Sequence, residues 1–115
     1  MRRRRAAPAF VAGALFLSPA LAQERATPDG DPEAGRKIAA GICQSCHGMN
    51  GIPQQPEMPT IAGSDATYLV RQLEAYRTGD RKNDMMSAVA PMLDEQKTAD
   101  VAAYYAGMRV TAEPP

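Results

Sequence analysis

Apolar residues recur at helical spacing in three stretches of the chain. The clearest stretch follows Ser64 or Asp65, either of which can cap a helix that ends at Gly79. Its apolar positions fall at i, i+3, i+4, i+7 and i+10, and they are Ala66, Leu69, Val70, Leu73 and Tyr76. This spacing places them on one face, so the pattern predicts an amphipathic helix.

Two further helices are predicted, one on each side of this stretch. The first begins at Asp31, which can cap the free amide groups while Pro32 takes the first helical position. Its apolar face carries Ala34, Ile38 and Ile42. The last helix begins near Asp94, and its buried stripe consists of Val101, Tyr104, Tyr105 and Met108. No repeat and no alternating strand pattern is present, so the predicted fold class is all-α.

The segments between these helices differ in character. From Gly48 to Gly63 the chain holds Pro53, Pro56 and Pro59, which predict an extended loop shaped by whatever it wraps. Residues 80–91 are charged and carry two adjacent methionines, Met85 and Met86, so they are predicted to form a second loop.

The first 22 residues have the three parts of a secretory signal peptide. Arg2 to Arg5 are basic, residues 9–17 are apolar, and Ala20 to Ala22 form an A-x-A cleavage site. The apolar run is about half of the ~20 residues that a membrane-spanning helix needs, so we expect no stable anchor. The predicted order is therefore a cleaved leader, a flexible lead-in at 23–30, one domain at 31–108 and a flexible tail at 109–115, with the protein in the periplasm.

The chain after the leader is mildly acidic. Four of the 13 basic residues lie in the leader, which leaves 9 Lys and Arg against 13 Asp and Glu, a net charge of −4. No basic cluster remains, so nucleic acid and anionic membrane are not expected as partners.

Both cysteines and the single histidine lie within five positions, Cys43-Gln44-Ser45-Cys46-His47. This is the attachment pattern of c-type haem. Each thiol can add to one vinyl group of haem, and the adjacent imidazole then serves as an axial ligand to the iron. The motif predicts one covalent haem c, held through Cys43 and Cys46.

Two other interpretations of the motif were weighed. Structural zinc needs four ligands, and this cluster offers three soft ones. A thioredoxin-like dithiol normally lies near a strand-helix-strand pattern, which the sequence lacks. An exported Cys43/Cys46 pair could also oxidise, so the cysteines alone do not prove haem.

A sixth ligand for the iron has to come from another residue type, since no second histidine exists. A methionine thioether is the natural candidate. Beyond the middle helix, where the chain could reach the other haem face, the residues alone leave three candidates open, Met85, Met86 and Met92.

The chain resembles the class I cytochromes c, in particular small bacterial cytochromes of the c4, c5 and c553 kind and the cytochrome subunit of flavocytochrome c sulfide dehydrogenases. The similarity runs from about Asp31 to Met108. It is carried by Cys43 to Gly48, Pro59 to Gly63, Tyr68 with Gln72, Gly79 to Arg81, Met85-Met86, Leu93 to Glu95, and Ala103-Tyr104. The resemblance implies three main helices around one haem.

The resemblance also implies roles for single residues. The ligand methionine of such families lies seven residues before the leucine that opens the last helix, and counting back from Leu93 reaches Met86. The carbonyl of Pro59 would accept a hydrogen bond from the second ring nitrogen of His47. Tyr68 and Arg81 would donate hydrogen bonds to the haem propionates.

Two further residues match the crossing of the terminal helices in these families. They are Gly35 on the first helix and Tyr104 on the last. The mitochondrial type's lysine-rich rim is absent here, so partner choice is expected to use the haem edge and apolar surface around Met49, Ile52 and Met58.

The predicted function is that of a non-enzymatic electron carrier between redox proteins, a donor and an acceptor, with His47 and Met86 as axial ligands. Two alternatives remain open. The chain could be the electron-accepting subunit of a dehydrogenase complex, or a haem enzyme or ligand sensor whose methionine ligand is labile.

Overall fold

Residues 29–113 are described by a computed structural model in which every regular element is helical. The elements are α1 (Pro32–Ile38), a π-helical turn (Ala39–Cys43), α2 (Gln44–His47), α3 (Ala66–Thr78), α4 (Met86–Val89), a 3₁₀ turn (Ala90–Met92) and α5 (Glu95–Ala106). Helix α5 packs against both α1 and α3. The all-α class predicted from the sequence is confirmed.

Helix α1, the π-helical turn and α2 form one continuous helical run. Asp31 caps it as predicted, because its side chain accepts a hydrogen bond from the Glu33 amide at 2.8 Å. The π-helical turn was not predicted, and it widens the helix at Cys43; such turns are frequent at functional sites. Gly48, with a φ of +82°, ends the run.

Helix α3 is capped by Asp65 rather than by Ser64. The Asp65 carboxylate accepts a hydrogen bond from the Tyr68 amide at 2.9 Å, and the helix ends at Gly79 in the left-handed conformation, as predicted. Of the predicted apolar stripe, Leu69 is fully buried and the other four positions are half-buried. Protein atoms therefore cover this face of α3 only in part.

Two backbones approach each other closely where α1 crosses α5. A Cβ atom added at Gly35 would lie 2.0 Å from the carbonyl oxygen of Asp100 and 2.9 Å from the Cβ of Tyr104. Glycine is therefore required at this crossing for steric reasons. The crossing of Gly35 with Tyr104 is the one that the family resemblance implied.

The side chain of Asp100 also joins the two ends of the domain. It is 6% exposed, and it accepts hydrogen bonds from the Asp31 amide at 2.8 Å and from the Gln96 side chain at 2.9 Å. Gln96 also donates to the carbonyl of Asp29, and Gly30 packs against the backbone of α5 at Ala99. The end of the predicted flexible lead-in is thus packed on α5.

Two sequence-based predictions differ from the structure. Residues 80–91 were predicted as a loop, but they contain α4 and the start of the 3₁₀ turn. Both elements are too short to produce a periodic pattern of apolar residues in the sequence. Met108 was placed on the stripe of the last helix, but α5 ends at Ala106, and Met108 packs against the core from beyond the helix end.

The predicted leader at 1–22 and residues 23–28 of the lead-in lie outside the described residues, as do the last two residues of the tail. Residues 107–113 form no regular structure. Within residues 29–113, no helix combines the length and the apolar character needed to cross a membrane.

Changing Asp94 to Asn tests the cap of α5. The backbone amide of Lys97 donates to the Asp94 carboxylate at 2.8 Å, and this bond, with the nearby Lys97 charge, lowers the Asp94 pKa below its ordinary 3.8. Asparagine keeps the cap without the charge. The extra stability of the wild type over Asp94→Asn should therefore be complete above pH 3.8 and vanish as pH falls through the folded-state pKa.

Urea unfolding of both proteins at several pH values measures this difference. Glu57→Asn, in the exposed loop, is the control for an acid-to-amide change outside a cap. A stability difference between wild type and Asp94→Asn that stays constant through the acid range would contradict the role of the Asp94 charge.

Candidate haem site

The two cysteines lie where the π-helical turn meets α2. Cys43 ends the turn, Cys46 lies in α2, and both are partly buried free thiols. Burial raises the pKa of the Cys43 thiol, and the neighbouring Tyr105 hydroxyl partly opposes this rise. Cys43 is consequently a thiol packed against the core and beside a hydroxyl, rather than a solvated thiolate.

The ring of His47 is buried, at 9% exposure, and has a fixed orientation. Its Nδ1 lies 2.9 Å from the carbonyl oxygen of Pro59. A prolyl carbonyl can only accept, so Nδ1 carries the proton and donates it, and Nε2 keeps a lone pair. The geometry therefore prepares Nε2 of His47 as a metal ligand, and the contact to Pro59 is the one that the resemblance implied.

The proline-rich loop is tied down by backbone hydrogen bonds. The carbonyl of Gly51 accepts from the Ile61 amide at 2.9 Å, and the Gly63 amide donates to the carbonyl of Tyr105 on α5 at 2.9 Å. Gly51 has a φ of +72°, where a side chain would be strained. These bonds determine where the Pro59 carbonyl lies relative to the histidine.

The two adjacent methionines differ in burial. Met86, the first residue of α4, is half-buried, whereas Met85 and Met92 are each 60% exposed. The side-chain oxygen of Asn83 accepts hydrogen bonds from the amides of Met85 at 3.1 Å and Met86 at 3.0 Å. Asn83 thus orders the start of α4, and Met86 is the least exposed of the three candidates.

Of the two predicted propionate donors, Tyr68 lies on α3, whereas Arg81 follows the end of the helix and packs back against it. The Arg81 guanidinium donates a hydrogen bond to the side-chain oxygen of Gln72 and lies over the ring of Tyr76, 4.7 Å from its centre. Tyr68 is 47% exposed and lies one helical turn before Gln72. A tyrosine hydroxyl and a guanidinium consequently flank one strip of α3.

The protein core is small and made mostly of alanine. The fully buried apolar residues are Ala39, Ala62, Leu69, Ala90, Leu93, Ala99, Val101, Ala102 and Tyr105. Larger apolar side chains, among them Ile61 and Val70, are only partly buried. A core of this kind stabilises a small domain only weakly, so a bound cofactor would add to its stability.

Tyr105 was predicted only as a packing residue, but its hydroxyl is a feature of the site. It is buried and has no hydrogen-bond partner among residues 29–113. Its place on the stripe of α5 was visible in the sequence, whereas its proximity to Cys43 was not. An unpaired buried hydroxyl, a small core and a free Nε2 on His47 fit the covalent haem that the motif predicts.

The zinc interpretation of the motif finds no further ligands in the described part of the chain. There, no three His, Cys, Asp or Glu side chains are grouped so that they could hold a metal ion.

Comparison with known proteins gives a family match and several relatives. The family model for cytochrome c matches residues 32–108. Cytochrome c4 of Thiocapsa roseopersicina is 40% identical over 84 residues, covering 73% of this chain and 43% of the relative. Cytochrome c-554(548) of Halomonas halodenitrificans is 42% identical over 80 residues, covering 66% of this chain and 94% of the relative.

A third relative is named thiosulfate dehydrogenase electron acceptor and comes from Stutzerimonas stutzeri (strain A1501). It is 38% identical over 57% of this chain and 32% of its own length. Among solved structures, reduced recombinant cytochrome c4 from Pseudomonas stutzeri matches with a TM-score of 0.65 and 32% identity, over 70% of this chain and 46% of that chain.

The chain thus spans about half the length of the cytochromes c4 that it matches, and nearly the whole length of cytochrome c-554(548). The family match covers the helical run with the Cys-x-x-Cys-His motif, α3, α4 and α5. The fold and the motif agree with it. This chain belongs to the cytochrome c family and has its class I fold.

Proposed function

We propose that this chain is a single-haem cytochrome that carries one electron at a time between redox proteins in the periplasm. Cys43 and Cys46 would anchor haem c as thioethers, and His47 and Met86 would be the axial ligands. When bound, the iron supplies a one-electron couple between Fe(II) and Fe(III). The observation that carries the proposal is the hydrogen bond from His47 Nδ1 to Pro59, which leaves Nε2 as a ligand.

The contribution of His47 and Pro59 is orientation. A ring held through Nδ1 by a backbone carbonyl keeps one tautomer and one tilt in both oxidation states. Little reorganisation is then needed when charge changes at the metal, which suits electron transfer rather than chemical transformation of a substrate.

The assignment of Met86 is supported by its burial and by the cap at Asn83. Met85 and Met92 are each 60% exposed, whereas Met86 is half-buried, so Met86 needs the smaller change in burial to become a ligand. A filled sixth position keeps oxygen and peroxide from the iron, so the proposed role is non-enzymatic.

Tyr68 and Arg81 are proposed as donors to the propionates. Gln72 and the ring of Tyr76 hold the Arg81 guanidinium on α3, and Tyr68 lies one turn from Gln72. A fixed guanidinium and a hydroxyl together suit a carboxylate.

The proposed partners are redox proteins that dock on an apolar rather than a basic surface. Met49 is 80% exposed and Ile52 is 45% exposed, and both follow the haem motif closely, while Met58 is half-buried. The relative named thiosulfate dehydrogenase electron acceptor favours a dehydrogenase as the electron donor. Co-purification with such an enzyme would distinguish a complex subunit from a free carrier.

Spectroscopy of the periplasmically expressed protein tests the proposal. We expect the wild type to retain haem after acid-acetone extraction, to cycle reversibly in voltammetry and to bind carbon monoxide slowly when reduced. The Cys43→Ala/Cys46→Ala variant should release its haem on extraction, and it is the control for covalent attachment. Rapid carbon monoxide binding by the wild type would instead support a haem enzyme or sensor with a labile methionine.

A further inference from the structure

The hydroxyl of Tyr105 has no assigned role in the proposed function. Tyr105 is 1% exposed, the largest side chain buried to this degree in the described part of the chain, and its hydroxyl lacks a hydrogen-bond partner there. A hydroxyl buried without a partner is unfavourable, and buried tyrosines normally pair this group. Phenylalanine would fill the same space without that cost.

Three neighbours pack around Tyr105. A Cβ added at Gly51 would lie 2.9 Å from two ring carbons of Tyr105, so backbone closes one side. The ring of Tyr104 lies 5.0 Å away, centre to centre. The Gly63 amide donates to the Tyr105 carbonyl at 2.9 Å and holds the backbone.

The group beside this hydroxyl is the thiol of Cys43. Burial raises the pKa of Tyr105, and the adjacent Cys43 sulfur raises it further, while Tyr105 in turn acts to lower the pKa of Cys43. Cys43 packs against the core cluster that contains Tyr105. One of the two haem anchors is therefore a neighbour of this hydroxyl.

We propose that Tyr105 is a positioning residue for haem attachment: during attachment its unpaired hydroxyl takes the Cys43 sulfur as its hydrogen-bond partner and holds that side chain in one rotamer. The inference rests on the proposed function, since it takes Cys43 as an anchor. Attachment adds the Cys43 S–H across a vinyl C=C: sulfur bonds to the carbon next to the ring, and the hydrogen ends on the terminal carbon. No oxidant or reductant is consumed in this addition.

Tyr105→Phe tests the proposal because it removes one oxygen and keeps the ring. We expect the ratio of doubly to singly attached chains to fall about three- to tenfold, as for the loss of one neutral hydrogen bond. After denaturation, iodoacetamide and peptide mass mapping report a free Cys43 thiol, and the reduced pyridine haemochrome band reports an unreacted vinyl group. Tyr104→Phe, the half-buried neighbour, should leave the ratio unchanged.

A second variant separates positioning from packing. In a Cys43→Ala background the sulfur is gone, so adding Tyr105→Phe should cause no further loss of bound haem. If Tyr105→Phe lowered the amount of bound haem equally in both backgrounds, the proposal would be overturned. It would also be overturned if Tyr105→Phe alone showed the same attachment ratio as the wild type. In either case the proposed function would still hold if haem is attached to both cysteines of the wild type. A wild type without covalent haem would contradict both the proposed function and the inference about Tyr105.

Discussion

Replacing Met86 with alanine is expected to abolish the weak near-infrared absorption of an iron-thioether bond and to lower the reduction potential. Methionine ligation raises the potential of a c-type haem. The expected drop is on the order of 200 mV, about a quarter of the ~0.8 V range that axial ligation spans. The open position should also speed the binding of carbon monoxide to the reduced form. Absorption spectra and voltammetry measure all three effects.

Met85→Ala is the matched control, because it removes the same side chain one position earlier. Met85 is 60% exposed, whereas Met86 is half-buried. Its loss should leave the near-infrared band and the potential close to those of the wild type. A band that survives in Met86→Ala and disappears in Met85→Ala would transfer the ligand role to Met85.

Replacing Gly35 with alanine is expected to cause a large loss of stability. The new Cβ would lie 2.0 Å from the Asp100 carbonyl oxygen and 2.5 Å from its carbonyl carbon. These are backbone atoms of α5, which cannot rotate away, so α1 and α5 must separate. The separation would also stretch the bond from the Asp31 amide to the Asp100 carboxylate.

We expect Gly35→Ala to lower the free energy of unfolding by about 3 kcal/mol, the upper end of the usual cost of overpacking. In a domain of this size that corresponds to a fall in the thermal midpoint of roughly 15 °C. Far-UV circular dichroism of the holoprotein during heating measures the midpoint.

Gly41→Ala is the control for Gly35→Ala, because both glycines lie in the same helical run. A Cβ at Gly41 would meet nothing within 4 Å, and alanine is the better helix former. This variant should melt at or slightly above the wild-type midpoint. Equal midpoints for the two variants would show that α1 can shift on α5 at little cost.

The helix starts were the most predictable part of the fold. Asp31, Asp65 and Asp94 each accept a hydrogen bond from a backbone amide at the start of a helix. Capping depends on a side chain and on amides two or three residues away, so it can be derived from local sequence. The π-helical turn and α4 were missed, because each is one short turn whose existence depends on what packs around it.

The site could be predicted where its functional residues are neighbours in the sequence. Cys43, Cys46 and His47 lie in one motif, and α2 keeps them together. The partner of His47 is 12 positions away and was named only through the family resemblance. Tyr105 lies much farther along the chain from Cys43, and no local pattern indicates which side chain of α5 has its polar end beside that thiol.

The sequence by itself determined the three main helices, the attachment motif and the family, because capping, amphipathic spacing and the Cys-x-x-Cys-His pattern are local properties. Only the tertiary structure decided which of the candidate methionines is least exposed, that the Asp100 carboxylate joins the two ends of the domain, and that the hydroxyl of Tyr105 is buried beside Cys43. Each of these depends on how α5 and the loops pack around the helical run that carries the motif. Such contacts join residues far apart in the chain, and their energies exist only once the elements are packed.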